Sequence, residues 1–298
     1  MTGMGKTIPV NPEPDGKRLI LEVRWGALAG RKAIVAPGQV LRVGRAEPAG
    51  FVIPDDMKLS ELHFELSWDG KSCWLRDLKS KVGTLIGGRY VEEGAVFNGD
   101  WVRAGLTDFS VYFENETPLP APPQPEPIEI QEARTQVLQC LRGQAEPLFA
   151  VLDAARDERI LTLLHESVEE CRSLYEGPQG DTLAEVAPYL VRLPTGSRLL
   201  ESLVVEGWGR SWGVFLTSQH SFKDLRRQLR KFLMVQDALK QELYFRFYDP
   251  RVLREILPVF KSSQLQEIFE RTDAFLVEGK VPSDVLRFTM HGLKNACH

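Results

Sequence analysis

The chain has 298 residues, of which 43% are hydrophobic and 26% charged, with a formal net charge of −4. This is the composition of an ordinary globular protein able to bury a sizeable core, and the length suggests about two domains. The lack of a basic excess argues against nucleic acid as a partner, and no stretch has the ~20 apolar residues of a membrane span or the layout of a signal peptide, so a cytoplasmic protein is expected.

Cys73, Cys140, Cys171 and Cys297 are scattered without a C-x-x-C pair, which predicts reduced thiols and neither a disulfide frame nor a metal site. Residues 1–17 are polar and contain proline, as in a flexible lead-in. From 18 to 115 short runs alternate with Gly, Pro and Asp: RLILEVRW, RKAIV, QVLRV, FVI, HFELSW, CWLRD, TLI, RYV, AVF, WVRA and DFSVYF. Close spacing of strands and turns predicts an all-β sandwich of about eleven strands. Residues 116–130 form a Pro-rich linker, since a run with six prolines between Glu114 and Pro127 tends toward extended, solvated backbone.

The remainder, 131–281, predicts an α/β lobe followed by a helical lobe, and 282–298 a tail that could be one more helix. A helix over Ile128–Leu141 ends at Gly143, LFAVLDAA is a buried strand, and 157–171 has Ile160, Leu163, Leu164 and Val168 on one helical face. YLVRL and WGVFLTS are further strands. Ser221 with Asp224 is a capping-box variant that opens a helix on which Lys223, Arg226, Arg227, Arg230 and Lys231 gather along one side, either as a solvated face or as a docking surface for acidic groups. In LYFRFYDPRVLREIL, Leu243, Phe245 and Phe247 alternate with polar neighbours as in a strand, Asp249 offers an N-cap and Pro250 suits the first helical position. Arg246, Tyr248, Asp249 and Arg251 at this joint are candidate partner-binding groups. Ser263 with Gln266 suggests another cap, followed by a packing face of Leu265, Ile268 and Phe269.

Two resemblances extend this reading. Gly44-Arg45 after QVLRV, Ser60 and His63 three apart, and DLKSKVGTLIGG from Asp77 to Gly88 look like the loops of a forkhead-associated domain over about residues 18–115. The resemblance implies a phosphothreonine-peptide site, with Arg45 supplying charge, Ser60 a hydroxyl, His63 bracing the loop, and Ser80 and Lys81 flanking the phosphate; a phosphate dianion requires such converging donors. Val82-Gly83-Thr84 stands where that family usually reads Asn-Gly before Thr, which removes the amide that sets the register of a bound peptide. Further on, LFAVLDAARD, LAEVAPYLVRL, WGVFLTS, LRRQLRKF and RFYDPRVL resemble, in order, the adaptor or chaperone domain of type VI secretion, over roughly 147–275. That resemblance implies a cytoplasmic bacterial protein that holds a toxic effector and helps load it onto the VgrG spike, with the sandwich as a second protein-binding module. The alternative is a phosphopeptide-reading regulator of secretion in a threonine-phosphorylation pathway.

No enzyme is expected and no cofactor is implied. His165, His220, His291 and His298 lie far apart, with neither an H-E-x-x-H pair nor a G-x-S-x-G elbow, and GKT at 5–7 lacks the strand and earlier glycine of a phosphate loop.

Overall fold

The computed structural model describes residues 16–25, 28–119, 126–236 and 241–296. Most of the lead-in, residues 120–125 of the Pro-rich stretch, and Cys297 with His298 lie outside the described residues. Two compact units follow one another along the chain, Met1–Glu116 and Thr117–His298.

The first unit is built from β1 (Leu19–Val23), β2 (Lys32–Val35), β3 (Gln39–Gly44), β4 (Phe51–Val52), β5 (Phe64–Trp68), β6 (Cys73–Asp77), β7 (Thr84–Ile86), β8 (Arg89–Val91), β9 (Glu93–Val96), β10 (Trp101–Ala104) and β11 (Thr107–Phe113). They form a six-stranded sheet in the order β2-β1-β11-β10-β7-β8 and a five-stranded sheet in the order β4-β3-β5-β6-β9. Strand alternation sends Phe64, Leu66 and Trp68 of one sheet and Leu21, Phe109 and Val111 of the other into a shared core. This is the expected sandwich.

The second unit has β12 (Leu148–Asp153), β13 (Cys171–Ser173), β14 (Pro188–Leu193), β15 (Gly213–Thr217), a separate hairpin of β16 (Met234–Gln236) and β17 (Glu242–Tyr244), and then β18 (Ala274–Glu278), β19 (Val285–Thr289) and β20 (Gly292–Asn295). Its helices are α1 (Ile128–Arg142), α2 (Glu158–His165), α3 (Gly177–Thr182), α4 (Arg198–Ser202), α5 (Phe222–Arg230), α6 (Pro250–Ile256) and α7 (Ser262–Ile268). The main sheet runs β13-β14-β12-β15-β18-β19-β20, and every pairing in it is antiparallel.

All six residues of β12 are buried. Phe149 and Val151 pack with Leu225, Leu229, Leu253 and Ile268 of α5, α6 and α7 on one face. Leu148, Ala150 and Leu152 pack with Val137, Ile160 and Leu199 of α1, α2 and α4 on the other. Helices on both faces explain why these strands read as unbroken apolar runs, the pattern usual for parallel sheets, although the sheet is antiparallel.

Several local expectations need correction. The helix predicted over 157–171 stops at His165, because the Ser167 hydroxyl donates to the Leu164 carbonyl at 3.3 Å and the chain turns to form β13. The strand at the joint ends at Tyr244. Phe247 and Tyr248 are both buried, and the Asp249 amide donates to the Arg246 carbonyl at 3.0 Å, so the alternation marks an irregular buried segment. The helix α7 starts at Ser262, where the Gln264 side-chain carbonyl accepts from the Lys261 amide at 2.9 Å, and not at a Ser263–Gln266 cap. The helical run does not continue: residues 274–278 re-enter the sheet, and the tail predicted as helix is β19 and β20, joined through Gly292 at φ 118°. Cys73 is a free thiol, and burial pushes it up to about 12.

The joint itself is as expected. Asp249 accepts from the Arg251 amide at 3.0 Å and Pro250 occupies the first turn of α6. Asp249→Ala is expected to lower stability by about 1 kcal/mol through the lost cap, read as a shift in urea midpoint at unchanged slope.

Candidate functional site

Loops at one end of the sandwich bring Arg45, Ser60, His63, Ser80 and Lys81 together, from three separate stretches of chain. The turn after β3 passes so close to the following loop that a Cβ on Gly44 would lie 1.9 Å from the Glu61 carbonyl oxygen. Only glycine permits that approach. Arg45 is fixed there by its amide on the Ser60 carbonyl at 2.9 Å and its Nε on the Leu59 carbonyl at 3.3 Å.

His63 is fully buried and uses both ring nitrogens. Its Nδ1 accepts from the Ser60 amide at 3.0 Å, so Nε2 carries the proton and donates to the Gly83 carbonyl at 3.1 Å. One imidazole therefore ties the Ser60 loop to the Val82-Gly83 loop. The Ser60 hydroxyl accepts from the Lys81 amide at 3.0 Å, leaving its own proton available to a ligand. The Lys81 side chain is exposed beside it.

Ser80 is already committed. Its hydroxyl donates to Asp77 Oδ2 at 2.7 Å and accepts from the Gly83 amide at 2.9 Å. Asp77 also accepts from the Ser80 amide at 2.8 Å and the Thr84 hydroxyl at 2.6 Å. Burial works to raise the Asp77 pKa, but those hydrogen bonds outweigh it and hold the carboxyl below its usual range. Asp56 does similar work on the neighbouring loop, accepting from the amides of Lys58, Leu59 and Leu106 and from the Thr107 hydroxyl. Neither aspartate is singled out by sequence patterning, although Asp77 three residues before Ser80 is a turn signal. Val82, next to Gly83 in the same loop, is 40% exposed.

In the second unit the basic stripe on α5 divides. Arg226 and Arg230 point at the segment after β13: Arg226 donates to the carbonyls of Ser173 at 2.8 Å and Tyr175 at 3.3 Å, and Arg230 to that of Leu174 at 2.9 Å. Both also pair with Glu176, whose carboxyl is held below its usual range chiefly by the Arg226 hydrogen bond. Arg227 stands apart, exposed and paired with Asp224 at 2.7 Å. The stripe is thus neither a single solvated face nor a single docking face.

At the joint, Arg246 pairs with Asp153 at the buried end of β12, and Arg251 grips Asp249 with two hydrogen bonds at 3.0 and 2.6 Å. The Tyr248 hydroxyl meets that of Tyr244 at 2.9 Å, which in turn meets Tyr175. These groups bind one another. Among the described residues no group of three His, Cys, Asp or Glu could hold a metal, and no helix is long and apolar enough to cross a membrane.

An eleven-stranded sandwich with these loops is of the forkhead-associated class. Residues 41–105 match the FHA domain profile, and residues 148–267 match a family described as a domain of unknown function, DUF4123. The chain therefore contains an FHA domain and a DUF4123 domain. It is 36% identical over 69 residues to the FHA domain-containing protein FhaA of Mycobacterium tuberculosis, a stretch that is 23% of this chain and 13% of that protein. Similar solved structures include the FhaA FHA domain complexed with the intracellular domain of a second protein, at 32% identity, 31% of this chain, 98% of that one and TM-score 0.29. Another is the FHA domain of a Chlamydia trachomatis protein, at 26% identity, 32% of this chain, 96% of that one and TM-score 0.30.

Because Asp77 is held below its ordinary value, its stabilising contribution is complete above that value and is lost as pH falls through the lowered one. Acid titration of sandwich unfolding is expected to show a loss of stability as pH falls below about 4 that is smaller in Asp77→Asn than in the parent.

Proposed function

We propose that this protein is a two-module adaptor, in which the sandwich binds a phosphothreonine-containing protein and the DUF4123 domain holds a protein cargo. The observation that carries the first half is the convergence of Arg45, Ser60 and Lys81. Backbone contacts bring Arg45, the Ser60 hydroxyl with its uncommitted proton and Lys81 onto one rim, and His63 locks that rim from behind. This donor set suits a phosphate dianion. The exposed Val82 leaves phosphate as the main determinant of binding, with weak demand on the ligand backbone.

The second half rests on the family match over 148–267 and on the ordered resemblance to type VI secretion adaptors. On that reading the cargo is a toxic effector held in the bacterial cytoplasm for loading onto the VgrG spike, and the protein is a binder with no catalysis of its own. The polar clusters at the joint and on α5 are closed ion pairs and hydrogen-bond chains, an arrangement that suits a binding scaffold. Arg227 and Arg251 are the members of those clusters that present most charge to solvent, and they are the partner-contacting candidates.

Arg45→Ala in the full chain is expected to weaken binding of a phosphothreonine peptide by about 10- to 100-fold, the loss of one charge-assisted interaction, in a fluorescence-anisotropy titration. The same variant is expected to retain an effector encoded beside it in a pull-down. Loss of the effector together with the peptide would instead make the protein a phosphopeptide reader whose second domain is the output.

A further inference from the structure

The outer face of the five-stranded sheet carries two adjoining rows of side chains that are complementary to themselves. Across β3, β5, β6 and β9 the ladder aligns Arg42 with Glu65, Glu65 with Arg76, and Arg76 with Glu93. Two residues along the strands it aligns Val40 with Ser67, Ser67 with Trp74, and Trp74 with Ala95. The inward neighbours Val43, Phe64, Leu66, Leu75 and Val96 fill the core, so both rows face outward. Val40 is 56% exposed and Trp74 is 51% exposed, so both large side chains of the second row present apolar surface to solvent. Arg42 and Glu65 pair at 3.3 Å, whereas Arg76 and Glu93 have no ion-pair partner among the described residues.

We propose that this face is a dimer interface for a second copy of the same chain. A two-fold axis parallel to the strands, passing between β5 and β6, turns the row over without moving it along the strands. The charges then run plus, minus, plus, minus against minus, plus, minus, plus: Arg42 meets Glu93 of the other copy, and Glu65 meets Arg76. In the apolar row Trp74 meets Ser67 and Val40 meets Ala95, large against small at each position. An axis perpendicular to the strands would instead set the charged row on the apolar one, so the pattern selects a single isologous arrangement. Four strands about 4.8 Å apart and about five residues long make a patch near the lower size limit of specific interfaces, which fits a weak, concentration-dependent dimer.

The test needs no ligand: light scattering coupled to size exclusion, and sedimentation equilibrium, on the full chain from about 5 to 300 μM, a range suited to weak association. The parent is expected to pass from monomer to dimer mass over that range. Arg76→Glu and Glu65→Arg are each expected to stay monomeric, since each sets two like charges against each other, while an equimolar mixture of the two is expected to regain the dimer because the altered pairs become complementary. Trp74→Ser is expected to stay monomeric in every case and to keep the parent's thermal melt because it lies outside the core, whereas each charge reversal sets like charges opposite one another within its own sheet and is expected to lower that melt slightly without unfolding the sandwich. A parent that remains monomeric at the highest concentration, or a mixture that fails to recover while the parent dimerises, would overturn the proposal.

Discussion

One buried imidazole governs the loop end of the sandwich. His63 contributes a lone pair to one loop and a proton to another, and no other neutral side chain can do both across that distance from a single rigid ring. Remove either bond and the Ser60 hydroxyl and the Lys81 amide lose their common position. The carboxylates of Asp77 and Asp56 extend the same logic outward, each gathering several loop donors onto one buried acceptor. Loops that look irregular are held by a small set of acceptors, with the sheets supplying only the frame.

The second unit solves a different problem. Its central strand has no solvent face, so specificity cannot come from the sheet surface and must come from its ends and from the helices laid over it. The ends are where the charged groups accumulate: Asp153 closes β12 and receives Arg246, and Glu278 closes β18 and accepts from the Gly209 and Ser211 amides at 2.7 and 3.1 Å. One of these buried carboxylates is satisfied by an ion pair and the other by amide donors, as an uncompensated charge there would cost several kcal/mol.

Much of the fold was legible beforehand because it rests on local signals. Alternation and turn residues located the strands of the sandwich, and Asp249-Pro250 and Ser221 marked helix starts that the backbone adopts. Arg45, Ser60 and His63 were singled out by the resemblance of their loops to a forkhead-associated domain, and those loops lie together in the structure. What was hidden depends on contacts distant in sequence. Helical geometry puts Arg226 and Arg230 on one side of α5 but does not reveal the carbonyls of Ser173 and Leu174 that claim them. The final strands were missed because Val285 and Phe288 are spaced as readily for a short helix as for a strand, and the deciding factor is pairing with β18. The resemblance puts Ser80 in the loop that flanks the phosphate, and its hydroxyl is already occupied by Asp77 and Gly83.

The order of the strands in the main sheet bears on how the chain is made. The sandwich is complete once β11 has emerged at Phe113, and all its pairings lie within the first unit. In the second unit β15 lies between β12 and β18, and β18 begins only at Ala274, so one side of the sheet stays open until nearly the whole unit has left the ribosome. Until β18 is in place β15 has an unpaired edge, and such an edge is a ready template for pairing with another chain.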